Sequence, residues 1–180
     1  GTEVEPRLQP GPPPGREGGP SAFDRVTLVP VDPALLGWTL SSDEPYEVSR
    51  EKLRDFATAV GEQAPLAHTP AAALAAGFAD VVAVPTFAII AVFRGLDAFV
   101  EAAGVDYSRV VHADQQFSYV RPIVAGDRLG TTFTVDRLRA LGTSDIVTLR
   151  TDITDQAGEP VCAAVSTIVI SAASDAEQEG

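Results

Sequence analysis

Residues 87–93 read Phe-Ala-Ile-Ile-Ala-Val-Phe, with no polar side chain at any angle around a helix. A helix that is apolar on every side has to be enclosed rather than laid on a surface. The pattern predicts a helix from Thr86 to about Ala103, buried all round over its first two turns. It becomes amphipathic beyond Arg94 and ends at Gly104. Directly afterwards the hydrophobic period changes to two. Val110–Val120, Leu129–Leu138, Asp145–Thr154 and Pro160–Ile170 read as four strands, joined by turns at Gly126-Asp127, Gly142 and Gly158. An enclosed helix beside an antiparallel meander predicts an α+β domain in which one sheet wraps the helix.

The segment before this helix is well punctuated. Pro45 to Val48 reads as a short strand leading into a helix capped by Ser49, with Glu51 in the first turn. Leu53, Phe56, Ala57 and Val60 share one face, Arg50, Arg54 and Asp55 the other, and Gly61 ends the helix. A second, short helix has Thr69 as cap, Pro70 at its first position and Gly77 just past its end. These elements, followed by the enclosed helix and the meander, amount to the hot-dog architecture.

Composition narrows the function classes. With 45% apolar residues in 180, the chain can build one ordinary core. A formal charge of −12 disfavours nucleic-acid binding, which needs clustered Lys and Arg. No apolar run reaches the roughly 18 residues of a membrane span. Two His and one Cys offer no metal-ligand spacing, and there is no phosphate-cradling glycine loop, so no cofactor is expected. Cys162 is the only cysteine; it reads as a small core residue, and a reducing cytoplasm is the simplest setting. Eleven of the first twenty residues are Gly or Pro. Residues 1–23 are therefore expected to form a flexible tail, 24–172 the domain, and 173–180 an acidic frayed end.

Residues 49–87 read SREKLRDFATAVGEQAPLAHTPAAALAAGFADVVAVPTF. This layout resembles the MaoC-like dehydratases and (R)-specific enoyl-thioester hydratases, whose motif runs Gly-Asp-x-Asn-Pro-hydrophobic-His. Here Gly61 is kept, the Asp position is Glu62, the Asn position is Ala64, and Pro65-Leu66 follow. The His position is Ala67, and His68 stands one residue late. VVHADQQFSYVRPIVAGDRL (110–129), GF-x3-VAVPTF and TDITDQAGEPVCAAVSTIV resemble the accessory subunits, types A and C, of actinobacterial (3R)-hydroxyacyl-ACP dehydratase. The likeness spans roughly residues 38–172.

The resemblance implies a hot-dog fold and a dimer, with itself or with a catalytic MaoC-like subunit. It implies syn elimination of water from a (3R)-3-hydroxyacyl thioester, or the reverse hydration. The substrate would be carried as a CoA or acyl-carrier-protein thioester, in fatty-acid metabolism. It also implies a His–acid pair in a pocket at a dimer interface, with amides at the start of the central helix polarising the thioester carbonyl. Accessory subunits lack the full pair and hold the acyl chain; the alternatives are a self-sufficient homodimeric hydratase using Glu62 and His68, or a hot-dog protein that binds an acyl or CoA ligand without chemistry.

Several residues then carry two readings each. Glu62 is the family acid or a solvated turn carboxylate, and its extra methylene displaces the carboxylate. His68 is a relocated base, by its pKa, or a surface or interface histidine, because successive residues of an extended segment point apart. Pro85 and Thr86 open the central helix, with Thr86 as its cap, and present amides to a carbonyl or simply begin a helix. Phe87, Ile90 and Phe93 would shape an acyl channel. His112 and Asp114, two apart on a strand, are expected on one face as an acid–base dyad or a structural pair.

Overall fold

The computed structural model describes residues 31–171. Both expected tails, and residues 24–30 and 172 of the expected domain, lie outside them. Six strands form one antiparallel system: β1 (Thr39–Ser41), β2 (Tyr46–Glu47), β3 (Val110–Tyr119), β4 (Arg128–Leu141), β5 (Ser144–Thr154) and β6 (Pro160–Ser171). The order is β1-β4-β5-β6-β3, with β2 also paired to β4, so β3 forms one edge. Three helices precede the meander: α1 (Arg50–Ala59), α2 (Pro70–Ala75) and α3 (Ile89–Ala102). This is the hot-dog fold, with α3 as the helix the sheet wraps.

The caps behave as local chemistry dictates. Ser49 Oγ accepts from Lys52 N at 3.1 Å, and Thr69 Oγ1 from Ala72 N at 3.4 Å. Gly61, at φ 76°, lets the chain reverse after α1 so that Glu62 N reaches Ala57 O at 2.8 Å.

Two expectations about α3 are corrected. The helix begins at Ile89, not Thr86: residues 85–88 form a turn, the cap position is Ala88, and no side chain caps it. Pro85 contributes no N–H, and Thr86 is exposed rather than capping. Nor is the first part of α3 buried all round. Val92, Gly95, Leu96, Phe99 and Val100 face the sheet and are buried. Ile89, Ile90 and Ala91 are half-buried, and Phe93 is 42% exposed. One sheet covers one side of a helix, and among the described residues nothing covers Phe93.

The core has two parts along α3. Near its start, Phe87 packs among Val48, Leu53, Ala57, Val84, Ile123 and Ile153. Toward its end, Phe99 meets Phe133, Leu149 and Ile168. Each such side chain, fully buried, stabilises by about 1.5–3 kcal/mol relative to exposure. Gly95 lets α3 approach β4 closely, because a Cβ there would overlap the Phe133 ring.

A β-bulge separates His112 and Asp114. His112 pairs with Ile168, which is buried under the helix, whereas Asp114 pairs with Thr167 on the opposite face. The extra residue shifts the alternation by one, so the expected shared face does not form.

Candidate active site

The loop between α1 and α2 is held by its own polar groups. Pro65–Ala67 is a turn of 3-10 helix, so Ala67 and His68 diverge by about 120° instead of pointing to opposite sides as an extended segment would. Ala67, at the motif's His position, is 2% exposed and packs into the core cluster beside Leu53 and Val81. His68 lies half-buried with Nε2 at 2.7 Å from Glu62 O. A carbonyl only accepts, so Nε2 carries the proton and Nδ1 is the basic nitrogen of the neutral ring. Arg54 Nε donates to His68 O at 2.7 Å and anchors the loop to α1.

Glu62 does not turn its carboxylate toward that ring. Its Oε1 accepts from Ala64 N at 2.7 Å, closing a tight local turn. The structure therefore brings Glu62 and His68 into one loop, linked through the Glu62 backbone rather than as a carboxylate–imidazole pair.

Beside this loop lies a cavity of about 400 Å³, lined by Leu66, Val82, Pro85, Tyr119, Val120 and Ile123 among others. It opens between the start of α3 and the edge strand β3. Glu62 and His68 are not among its lining residues. The Tyr119 hydroxyl donates to Pro85 O at 2.7 Å. Burial pushes the Tyr119 phenol up, the Cys162 thiol adds to this, and the Ala88 N–H acts in the opposite direction. Tyr119 thus sits against the turn that starts α3, a role the sequence reading did not assign to it. Its place in the FSYVRP segment, ahead of a Pro-containing strand end, was the available signal.

The connection after β3 is fixed by Asp127, which accepts from Val124 N at 2.9 Å and Arg121 Nη1 at 2.8 Å. Arg121 also reaches Asp155 Oδ2 at 3.5 Å, tying this connection to the β5–β6 turn. Residues 82 and 124 form an isolated β-bridge, so the same clamp sets one wall of the cavity.

The expected channel residues do not share one space. Phe87 is 1% exposed and enclosed by Phe56 and Tyr46, with ring centroids at 5.4 and 6.5 Å. Phe93 is at the surface. Ile90 alone lines a cavity, a slot of about 130 Å³ on the other flank of α3. Cys162 is buried, its thiol pushed up by that burial. Among the described residues no cluster of three metal-binding side chains occurs.

A family model described as FAS1-like, dehydratase domain region, matches residues 34–164. The chain belongs to that family. Curated relatives include a UPF0336 protein of Saccharopolyspora erythraea, 48% identical over 78% of this chain and 92% of that protein. A UPF0336 protein of Streptomyces avermitilis is 44% identical over 81% of this chain and 98% of its own length. Among solved structures, the HadBC (3R-hydroxyacyl-ACP dehydratase) complex of Mycobacterium tuberculosis is 30% identical, with TM-score 0.69, over 75% of this chain and 96% of that one. A MaoC-like dehydratase gives 34% identity and TM-score 0.73 over 78% of this chain, which spans 43% of that longer protein. The chain is thus a MaoC-like hot-dog protein of the dehydratase family. None of its described helices is long and apolar enough to cross a membrane.

Proposed function

We propose that this chain is the non-catalytic half of a (3R)-hydroxyacyl-thioester dehydratase or enoyl hydratase of fatty-acid metabolism in the cytoplasm. It would pair with a subunit that carries the intact Gly-Asp-x-Asn-Pro-x-His motif. The observation that carries this reading is the state of its own motif loop. Ala67 occupies the base position inside the core, while Glu62 Oε1 is bonded to Ala64 N and His68 Nε2 to Glu62 O rather than to each other. A general base must reach the substrate's proton directly or through one water. A carboxylate folded back onto Ala64 N and an imidazole donating to Glu62 O support a fixed loop better than a proton relay.

The edge strand suits a partner. β3 offers ten residues of backbone with one side unpaired among the described residues, and Val111 within it and Val120 just after it are 57% and 70% exposed. Such an edge is a template for another strand. A partner laid along it would close the 400 Å³ cavity beside the start of α3, where a thioester carbonyl would meet the amide end of the helix. The chain's part is then to shape the acyl-binding space, the ligand arriving as a CoA or carrier-protein thioester without a further cofactor.

The test is hydration of trans-2-enoyl-CoA, followed by loss of enoyl absorbance. The chain alone is expected to show no turnover, and a mixture with a motif-bearing MaoC-like subunit is expected to turn over while forming a heterodimer. A second reading, a self-sufficient homodimer, draws on His68 and Glu62 sharing one loop. Turnover by the isolated chain that is abolished in Glu62→Ala or His68→Ala would establish it and overturn the first.

A further inference from the structure

The slot on the other flank of α3 has chemistry that the motif loop does not explain. It lies against β2 and β4, at the opposite end of the strand order from β3 and the 400 Å³ cavity. Its walls are apolar, formed by Tyr46, Ile90, Ala91 and Leu129. Two cations stand on it, Lys52 from α1 and Arg94 from α3. Lys52 is the only lysine of the chain. Neither cation makes an ion pair among the described residues, as is also the case for Arg54, Arg109, Arg137 and Arg139.

Arg94 is also held in place. Its guanidinium carbon lies 5.6 Å from the centroid of the Tyr46 ring, a cation–π arrangement that keeps the planar donor fork at the slot. Ser42 adds a hydroxyl. Its Oγ accepts from Thr131 N at 3.0 Å, which leaves the hydroxyl proton free to donate to a ligand. The slot continues into a chamber of about 520 Å³ that shares Ser42, Ala91, Arg94 and Thr131 with it. Asp43 and Glu44 line that outer chamber and not the slot. Their charge opposes an anion at the outer end more strongly than one at Lys52.

We propose that this slot binds a carboxylate borne on an apolar chain, the carboxylate between Lys52 and Arg94 and the chain along Tyr46, Ile90 and Leu129. An alkyl wall with two unneutralised cations and a hydroxyl donor matches that one chemistry at both ends. Two sources supply it: a free fatty acid, or an acyl thioester with a second carboxylate at its far end. Binding here needs neither the motif loop nor a partner, so it stands apart from the dehydratase reading.

Calorimetric titration of the full chain with decanoate tests it. Decanoate is expected to bind about tenfold or more tighter than decanol, and less tightly as salt rises. Lys52→Gln and Arg94→Gln, both at exposed positions, are each expected to weaken decanoate roughly three- to tenfold, and the double variant further. Arg139→Gln, an exposed cation remote from the slot, is expected to change nothing. The N-acetylcysteamine monothioester of decanedioic acid forms the second arm, against decanoyl-N-acetylcysteamine. Preference for the carboxylated thioester, lost in the same two variants, assigns the slot to that source; binding of decanoate alone assigns it to free fatty acid. Equal affinity for decanoate and decanol, no binding of any probe, or indifference to both substitutions would overturn the proposal. Those results leave the hydration test untouched, so the two ideas fail separately.

Discussion

Replacing Gly95 by alanine sets two effects of known size against each other. In the middle of a helix, alanine is favoured over glycine by about 1 kcal/mol. Gly95, however, is buried where α3 crosses β4, and a Cβ built on it falls within 3.0 Å of three carbons of the Phe133 ring. That ring has little room to retreat. Phe133 is 2% exposed and lies between Trp38, edge-on at 6.1 Å, and Phe99 at 6.4 Å. Forcing extra volume into such a site costs roughly 1–3 kcal/mol, occasionally more. Because three ring carbons are overlapped at once, the clash lies in the upper part of that range, about 2–3 kcal/mol; it outweighs the propensity gain, and Gly95→Ala is expected to lose about 1–2 kcal/mol net. For a chain of this size that is a fall in Tm of about 3–6 °C, readable by calorimetry or circular dichroism. Gly95→Ala combined with Phe133→Leu is expected to be less destabilised than the sum of the two single changes, because each relieves the other. A rise in Tm for Gly95→Ala, or strict additivity in the double variant, would refute the close helix–sheet packing.

Acid should destabilise the fold. The Asp80 carboxyl is held below its usual range by the Arg50 guanidinium and the Val81 N–H, and Asp155 by the N–H groups of Glu159 and Ala157. A carboxyl with a lowered folded pKa adds stability that is fully present above its unfolded value of about 3.9 and is lost as pH falls through the folded one. Urea midpoints are therefore expected to be level from neutral pH to about 5 and to drop below about 4, less steeply in Asp80→Asn; a rising midpoint would contradict this. Cys162 is expected to react with a thiol reagent only after unfolding, since burial keeps it protonated and covered; rapid labelling of the folded chain would show the last strand to be open. His68→Ala removes one hydrogen bond within the motif loop and is expected to lower stability by about 1 kcal/mol. Unchanged stability by denaturant titration would mean the loop does not depend on that ring.

Much of the fold was legible because it rests on local chemistry. Ser49, Thr69 and Pro70 announce their helix starts, Gly61 and Gly77 the ends, and the change of period at Val110 marks the passage from helix to meander. What escaped depends on pairing and packing. The bulge that parts His112 from Asp114 is a property of the β3–β6 register, which no single strand reveals. The late start of α3 follows from the turn at 85–88, held partly by Tyr119 from a strand more than thirty residues away. β1 is too short to show a period, and it is placed by its pairing with β4. At the candidate site, the altered motif was readable, residue by residue. Its consequence was not, because the hydrogen bonds from Ala64 N to Glu62 Oε1 and from the His68 ring to Glu62 O are set by how the loop folds around the 3-10 turn, which residue identity alone does not give.

The most direct test of the non-catalytic assignment is steady-state hydration of a short trans-2-enoyl-CoA by the purified chain, alone and with a motif-bearing MaoC-like subunit. No turnover alone, with turnover in the mixture, is the predicted result. Turnover by the chain alone that disappears in Glu62→Ala or His68→Ala would contradict it.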